Sequence, residues 1–388
     1  MEQFPSVQVW DKDMQVLTII PAEVYEYFRY TRNLRTADTF EFRMNKNRPK
    51  AEILLSSQAT FLVYLDGGQT ARIGRIEQIQ CTLPEQGEGD EIVVVSGRSG
   101  GMMSERLAVA GVRTGSGLDT QTGPAETLMR HYVDVNAVSA QDEYGDASAA
   151  RTIPNLVLAP DEGRGATCTY SARYEYVSDV LQALSYAGGL GWEVILDTAS
   201  RTLVFQVIES TSHTSSDPHP VVFSPRLGNL LSIDYLYSLL DRKSLAYVGG
   251  AGEGAERSME TVYLDAAEPA GYERRETFVD ASNTSVSSEM ITAGRSELEE
   301  MSGTVSLDAV PYTGAPLRYP GDYDLGDIIT VDYTGIATAD VRIISIVDEI
   351  VGGGRGAVRK LTAKLGTEPA DIRRIVRRTT RKTIEQTK

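Results

Sequence analysis

The stretch Phe40-Glu41-Phe42-Arg43-Met44 decides the fold class of this chain. Apolar and charged side chains alternate in it, and this period of two is typical of a strand with one buried face and one solvent-exposed face. Similar strand patterns lie on both sides of it, at residues 7–9, 61–65 and 91–95. Strands at roughly 10–20-residue spacing favour an antiparallel arrangement over a strand–helix–strand sheet. We therefore predict a first small barrel-like domain over residues 1–109.

The middle of the chain combines helix and strand signals. Gly123-Pro124 precedes a helical pattern in which Leu128, Met129 and Tyr132 share one side. Ser178 is a predicted N-cap of a second helix, which Gly188-Gly189 should end. With the strand patterns around it, this region is predicted to be an α+β domain, residues 110–220.

Strand patterns return after residue 221, with one inserted helix predicted over residues 287–301. They predict a second barrel-like domain, residues 221–370, and the segment 371–388 is predicted to form a basic amphipathic helix. The predicted fold class is thus α+β and mostly β. It has two small antiparallel barrel-like domains, an α+β segment between them and a C-terminal basic helix.

The charge of the chain is unevenly distributed. The 388 residues carry 38 Lys and Arg against 54 Asp and Glu, a net charge of −16. Residues 355–388 hold 11 Lys and Arg against three acids, so they carry +8 and the other 354 residues carry −24. An acidic body argues against binding of nucleic acid or of an anionic membrane by that body.

The basic C-terminal segment has three interpretations: nucleic-acid binding, docking on an acidic partner, or a solvated tail. Its apolar stripe argues against a solvated tail, and the absence of aromatic residues among the arginines argues against base stacking. Docking on a protein is the favoured interpretation. The predicted docking residues are Ile372, Arg373, Arg374, Ile375, Arg377, Arg378 and Arg381.

Thiol, metal and membrane functions find little support in the sequence. The two cysteines, Cys81 and Cys168, form no CxxC pattern, and there are only three histidines. This excludes a disulfide framework and a Cys-rich zinc site, and no cofactor or metal is predicted. The first residues do not resemble a secretory signal, and no run approaches the roughly 18–20 apolar residues of a spanning helix. We therefore expect a protein without a membrane anchor that folds in a cytoplasm.

A serine-hydrolase motif is the main alternative. Gly97-Arg98-Ser99-Gly100-Gly101 fits G-x-S-x-G, follows a predicted strand and precedes a predicted helix, as a nucleophile elbow would. Asp134 and either His213 or His219 follow in the chain order of that enzyme class. The histidines, however, lie in a linker rich in Ser and Pro, which is a poor support for a catalytic imidazole. The favoured interpretation is a Gly-rich turn.

Two further loops resemble ligand sites. The acidic sequence at residues 322–327 resembles a calcium loop, but Leu325 and Gly326 break the D-x-D-x-D-G order, which favours a turn. The Gly-rich sequence at residues 249–254 lacks the GK[ST] ending of a phosphate loop, which favours a hairpin loop.

The order of several short motifs along residues 1–370 resembles the tail-hub family of tailed bacteriophages and prophages, the baseplate hub or minor tail proteins of siphoviruses. Each motif is short, and their order over most of the chain carries the resemblance. Besides residues 40–44, the motifs lie at residues 74–79, 92–97, 104–107, 151–154, 221–224, 228–230 and 323–331.

The resemblance implies a structural role in the virion, at the tail tip, after assembly in the bacterial cytoplasm. Such hubs are homotrimers whose barrel-like domains form a pseudo-sixfold ring that continues the tail tube. The implied partners are a distal tail or tube protein, the tape measure protein and tip or fibre proteins, and DNA passes through the lumen without specific binding. Some relatives carry a C-terminal peptidase or lysin domain. This sequence ends after its basic segment, so we expect no enzyme activity.

Overall fold

The computed structural model describes residues 6–66, 70–83, 90–302, 304–311, 317–333, 337–352 and 358–366. Strands predominate within these residues, and the predicted mostly-β, α+β fold class is confirmed. The strands of the first half are β1 (Val7–Trp10), β2 (Val16–Ile20), β3 (Tyr27–Asn33), β4 (Asp38–Asn45), β5 (Phe61–Asp66), β6 (Thr70–Thr82), β7 (Ile92–Ser99), β8 (Asp119–Pro124), β9 (Leu156–Leu158), β10 (Thr167–Ala172), β11 (Gly191–Asp197) and β12 (Thr202–Ile208).

Ten more strands and the α-helices complete the described elements. The strands are β13 (Ser212–His213), β14 (Val222–Phe223), β15 (Leu230–Ser238), β16 (Leu245–Gly249), β17 (Met259–Val262), β18 (Glu276–Asp280), β19 (Thr304–Pro311), β20 (Ile328–Tyr333), β21 (Ala337–Val351) and β22 (Val358–Gly366). The helices are α1 (Ala51–Leu54), α2 (Ala125–Val133), α3 (Val177–Gly188) and α4 (Ser287–Glu300).

Strand β4, which contains Phe40–Met44, forms the centre of the first core. Phe40, Phe42 and Met44 on β4 are buried, as their alternation predicts. In the antiparallel registers, Phe42 lies opposite Phe28 of β3 on one side and opposite Val95 of β7 on the other. Each of these apolar side chains therefore points to the same face of the sheet, and that face covers a continuous aromatic and aliphatic core.

Strand pairing extends this sheet well beyond the first hundred residues. The order β2-β1-β5-β6-β7-β4-β3-β21-β20 is antiparallel throughout. Strand β21, from near the end of the chain, thus lies beside β3, from near its start. In the described residues these pairings trace an open sheet, so the predicted barrel shape is not closed.

The α+β region builds a second core from two helices and a hairpin. Strands β11 and β12 pair from Gly191↔Ile208 to Asp197↔Thr202, and α2 and α3 contribute Leu128, Met129 and other apolar side chains to the same cluster. The predicted end of the second helix is confirmed, because α3 ends at Gly188 and Gly189 adopts a left-handed conformation with φ +71°. The helix begins at Val177, and the structure shows no side-chain cap from Ser178.

Two compact units divide the chain: Met1–Ile233 with Ala309–Lys364, and Asp234–Asp308 with Leu365–Lys388. The division into four parts made from the sequence stays a prediction. In the second unit, α4 packs on the sheet β17-β16-β18, whose outer strands are antiparallel and parallel to β16 respectively.

A helical glycine permits this close packing in the second unit. A Cβ at Gly294 would lie 2.7 Å from Val262 and 2.9 Å from Val248, so any larger residue would push the helix away from the sheet. Elsewhere, the helices of the described residues include none with the length and apolar character needed to span a bilayer.

Candidate functional site

Among the described residues of the first unit, a buried charge cluster is centred on Glu193 of β11. Its Oε2 accepts hydrogen bonds from Arg32 Nη2 at 2.9 Å and from Arg72 Nη1 at 2.6 Å. Its Oε1 accepts one from Gln206 Nε2 at 2.6 Å. Glu193, Arg32 and Arg72 are each nearly fully buried, so the loss of one partner would leave an uncompensated charge in a water-poor interior.

Arg32 connects the charge cluster to a distant part of the sequence. Its Nη1 donates to the Tyr319 hydroxyl at 2.8 Å and forms an ion pair with Asp324. Strands β3, β6, β11 and β12 and the loop before β20 therefore meet at one point. Because breaking the buried ion pairs of Glu193 would leave an uncompensated charge, β3, β6 and β11 are fixed relative to one another, whereas the Asp324 side chain is 46% exposed and its pair with Arg32 contributes less.

A second buried carboxyl group lies beside the cluster. Asp38 at the start of β4 accepts hydrogen bonds from the backbone N–H of Asn33 at 2.8 Å and from the Tyr30 hydroxyl at 3.2 Å. Burial, and then the nearby charge of Glu193, raise the pKa of Asp38 to about 7. The opposite happens at Glu193: burial disfavours its charged form, but Arg32 and Arg72 outweigh burial and its pKa falls to about 2.

These two pKa values distinguish the two carboxyl groups near neutral pH. Glu193 is a carboxylate whose two oxygens both accept hydrogen bonds from protein side chains, and Asp38 titrates near neutrality. Both groups are enclosed by the sheet. Their arrangement is suited to joining segments of the fold, and we assign the charge cluster a stabilising role.

The G-x-S-x-G serine is also buried. Ser99 is the last residue of β7, is only 4% exposed, and donates from its hydroxyl to the carbonyl of Val194 at 2.7 Å. Gly100 follows with φ +69°, and a short 3₁₀ turn over Gly101–Glu105 stands where a helix was predicted. A strand paired on both sides with its serine hydroxyl bonded to a backbone carbonyl does not present a nucleophile, so the Gly-rich turn explains this motif.

The remaining predicted triad residues have local partners. His213 Nδ1 lies 3.3 Å from the carbonyl of His219, and its Nε2 lies 3.7 Å from Asp327. Asp134 accepts from the backbone N–H of Ser139 at 3.2 Å. In the part of the chain that the structure describes, none of these hydrogen bonds reaches the serine. The structure therefore does not assemble a triad from these residues.

The acidic loop at residues 322–327 is a turn. Asp327 accepts from the backbone N–H of Asp324 at 2.7 Å and from that of Thr211 at 3.2 Å, while Asp322 accepts from the N–H of Arg318 at 2.7 Å. These two carboxylates are thus directed at backbone donors, and the carboxylate of Asp324 is engaged by Arg32 and by the backbone N–H of Leu325 at 2.7 Å. Within the described ranges, no three or more His, Cys, Asp or Glu side chains are grouped so that they could hold a metal ion.

The glycine loop after β16 presents carbonyl groups to a cation. Arg257 Nε donates to the carbonyl of Gly250 at 2.8 Å, and its Nη2 donates to that of Gly249 at 2.9 Å. A phosphate loop presents N–H groups to an anion, which is the opposite polarity. The loop is therefore held closed by an arginine, which also pairs with Asp280.

The predicted docking residues, from Ile372 to Arg381, lie outside the described residues, as does the predicted basic helix. The charge cluster, in contrast, is well described, and the sequence interpretation did not identify it. A signal was present: Arg32 follows Phe28 and Tyr30 at the same period-two positions, so the alternation placed a charge on the buried face of β3.

A family model and several solved structures match this chain. A family model described as "Siphovirus ReqiPepy6 Gp37-like protein" matches residues 6–363. The 43 kDa tail protein of prophage MuSo2 from Shewanella oneidensis superposes with a TM-score of 0.57 at 12% identity, over 94% of this chain and 98% of that chain. The prophage tail protein gp18 from Listeria monocytogenes EGD-e gives 0.53 at 11% identity, over 97% and 98%.

The tail protein from Neisseria meningitidis MC58 is a third similar structure. It has a TM-score of 0.52 at 16% identity, over 93% of this chain and 96% of that chain. At such identities the likeness establishes a shared fold, and it covers nearly the whole length of each protein. Comparison with curated protein sequences gives no significant match.

Proposed function

Because the chain belongs to the siphovirus ReqiPepy6 Gp37-like protein family, we propose that it is a structural protein of a phage or phage-like tail. More specifically, we propose a tail-tip hub. Three copies form a ring of pseudo-sixfold symmetry that continues the tail tube, joins the distal tail or tube protein to the tape measure and the tip or fibre proteins, and lets DNA pass.

The family match carries this proposal, because it spans residues 6–363 and so includes most of both compact units. The fold supports it, since three proteins with this fold are described as tail proteins. Charge supports it too: residues 1–354 carry −24, and an acidic lumen wall would repel passing DNA and prevent it from binding.

The proposed role requires no catalysis. Two observations on Ser99 support a role without catalysis. The side chain is buried, and its hydroxyl donates a hydrogen bond to the carbonyl of Val194. A fluorophosphonate probe should leave the protein unlabelled, with a known serine hydrolase as the positive control. Labelling of wild type that is lost in Ser99→Ala would establish the hydrolase alternative instead.

The number of copies in the assembly and its position in the particle test the ring directly. Native mass spectrometry and electron microscopy of the purified chain, together with immunogold labelling of particles, should find three copies per ring and place them at the tail tip. One or two copies per assembly, or a position along the tube or at the head, would refute the hub while leaving membership of the family intact.

We also propose that the basic segment containing Ile372, Arg373, Arg374, Ile375, Arg377, Arg378 and Arg381 docks on an acidic neighbour in the tail. Its charge and its apolar stripe support this. A chain ending at residue 368 should still fold but should not be incorporated into particles. Its matched control is the full chain with Lys12→Glu, an exposed charge reversal far away in sequence. If the full chain instead binds DNA in a salt-sensitive manner and the truncated chain does not, the segment binds nucleic acid.

A further inference from the structure

One face of the sheet β17-β16-β18 in the second unit is open. Ala246 and Val248 of β16 belong to the core that α4 covers on the other face. Tyr247 lies between them and therefore points away from α4, as do its register partners Thr261 of β17 and Phe278 of β18. A sheet face without a covering layer is a candidate interaction surface.

The centre of this open face is apolar. Phe278 is 42% exposed, and Met259, which is two residues before Thr261 on the same strand, is 51% exposed. The guanidinium of Arg257 lies 5.3 Å from the centre of the Phe278 ring, and the carbonyls of Gly249 and Gly250 hold that guanidinium in place. The ring is therefore positioned before any partner binds, which lowers the ordering cost of docking.

The surroundings of the open face are acidic. Residues 245–280, all of which the structure describes, hold eight acids against three arginines, a net charge of −5. Two of the arginines form ion pairs with acids of the same stretch. Glu253, Glu256 and Asp265 are exposed and form no ion pair among the described residues. A partner of the open face should therefore combine an apolar stripe with positive charge.

The chain itself contains a segment with this chemistry. Residues 371–388 hold seven Lys or Arg against two acids, a net charge of +5. In the predicted helix, Ile372, Ile375 and Val376 share one side because they have the spacing i, i+3, i+4. Twelve helical residues extend about 18 Å. The strands of the sheet have four or five residues and so are roughly 13–17 Å long, which matches such a helix.

We propose that residues 371–388 of one copy dock on the open face of a second copy of this chain. The apolar side chains of the segment contact Phe278 and Met259, and its arginines face the acids around the sheet. In the proposed ring every copy has a second copy beside it, and a contact between two different surfaces of one chain repeats around such a ring. This inference rests on the proposed docking of the basic segment, and it names the acidic neighbour.

A charge swap tests the contact. The face variant carries Glu256→Lys and Asp265→Lys, and the segment variant carries Arg374→Glu and Arg377→Glu. Each should raise the concentration at which the purified full chain associates by about tenfold, because like charges then face each other. A chain with all four substitutions should associate nearly as wild type does.

The matched control has the same change of charge at two other exposed acids. It carries Glu52→Lys on α1 and Glu299→Lys on α4, the helix that covers the opposite face of the sheet. Its association should equal that of wild type. The face variant and the control should both keep the wild-type melting midpoint, because the substituted side chains are exposed.

Cross-linking identifies which copy supplies the segment. In a Cys81→Ser background, one chain carries Met259→Cys and another carries Ile375→Cys, while the buried Cys168 should not react. A short bismaleimide should join two chains in the mixture of these variants and in neither variant alone. If a chain with both substitutions cross-links only to itself, the segment covers the face of its own chain and the proposal is overturned.

Incorporation into particles separates this inference from the proposed function. If a chain ending at residue 368 is left out of particles but the face variant is incorporated as wild type is, the segment docks on a different neighbour and the open face is not its site. If the chain ending at residue 368 is incorporated normally, both the inference and the proposed docking of the segment fail. Equal association of the face, segment and control variants also overturns the contact, and it leaves the hub standing.

Discussion

Replacement of Glu193 by Gln tests the charge cluster most directly. The substitution keeps the size of the side chain but removes the charge that Arg32 and Arg72 share. The fall of the Glu193 pKa from 4.5 to about 2 corresponds to about 3 kcal/mol of stabilisation at neutral pH. Breaking a buried ion pair by removing one partner typically costs about 3–5 kcal/mol, which agrees with this magnitude. We expect Glu193→Gln to lower the unfolding free energy by about 3 kcal/mol.

Urea denaturation followed by tryptophan fluorescence measures this loss. The only two tryptophans of the chain, Trp10 and Trp192, belong to the same core, and Trp192 precedes Glu193 in sequence. In thermal unfolding, a loss of about 3 kcal/mol corresponds to a decrease of roughly 4–5 °C in the midpoint for a protein of this length. Because the folded-state pKa of Glu193 is depressed, its stabilisation is complete above pH 4.5 and is lost as the pH falls towards about 2.

The matched control is Glu91→Gln. Glu91 pairs with Lys46 at 2.6 Å, but both side chains are substantially exposed, and such a pair contributes about 0–1 kcal/mol. If Glu193→Gln destabilises the protein no more than Glu91→Gln does, the buried cluster is not a source of stability and the reasoning is refuted. That comparison applies at neutral pH. At low pH, equal loss of stability in the two variants is expected, because Glu193 is then protonated in wild type as well.

Three further substitutions have defined outcomes. Between about pH 4 and pH 7 the folded chain holds a proton on Asp38 that the unfolded chain has released, so this group's contribution to stability falls as the pH rises. Asp38→Asn should flatten the dependence of the unfolding free energy on pH in that window, and an unchanged slope in urea titrations would contradict this. Ser99→Ala should cost about 1–3 kcal/mol in the same assay, because the carbonyl of Val194 loses its donor, and no loss would mean that the bond is not formed in solution. A Cβ at Gly97 would lie 1.8 Å from a backbone oxygen, so Gly97→Ala should destabilise far more than Gly189→Ala. At Gly189 nothing lies within 4 Å, so alanine there costs only about 1 kcal/mol for its left-handed φ of +71°. Equal melting points would contradict the packing.

Local elements follow well from the sequence. The spacing of Met290, Gly294 and Leu298 predicts α4, and the alternation around Phe42 predicts β4 and its buried face. These succeed because the period of apolar residues reports directly which side of an element is buried. Helix starts were less accurate, as at α3, because several residues can supply a similar cap and tertiary contacts decide among them.

The alternation of apolar residues does not predict which strands pair with each other. Alternation gives the face of β3 but not that its neighbour is β21, nor that β9 runs parallel to β12. The charge cluster was not predicted for a related reason: Arg32, Arg72 and Glu193 are far apart in sequence, so the charge that alternation places on the buried face of β3 has no partner that the sequence identifies. Their meeting depends on the sheet order, which only tertiary structure supplies.

The pairing of β3 with β21 also dictates the timing of folding. Asn33 and Ser345, whose side chains hydrogen bond, are separated by 312 residues. At synthesis rates of about 5–20 residues per second, β3 leaves the ribosome roughly 15–60 s before its partner exists. During that interval β3 has an open edge beside a nearly complete aromatic core, and such edges promote aggregation. The first core can therefore close only after almost the whole chain has been made, and premature termination before residue 345 should yield an insoluble fragment rather than a smaller folded domain.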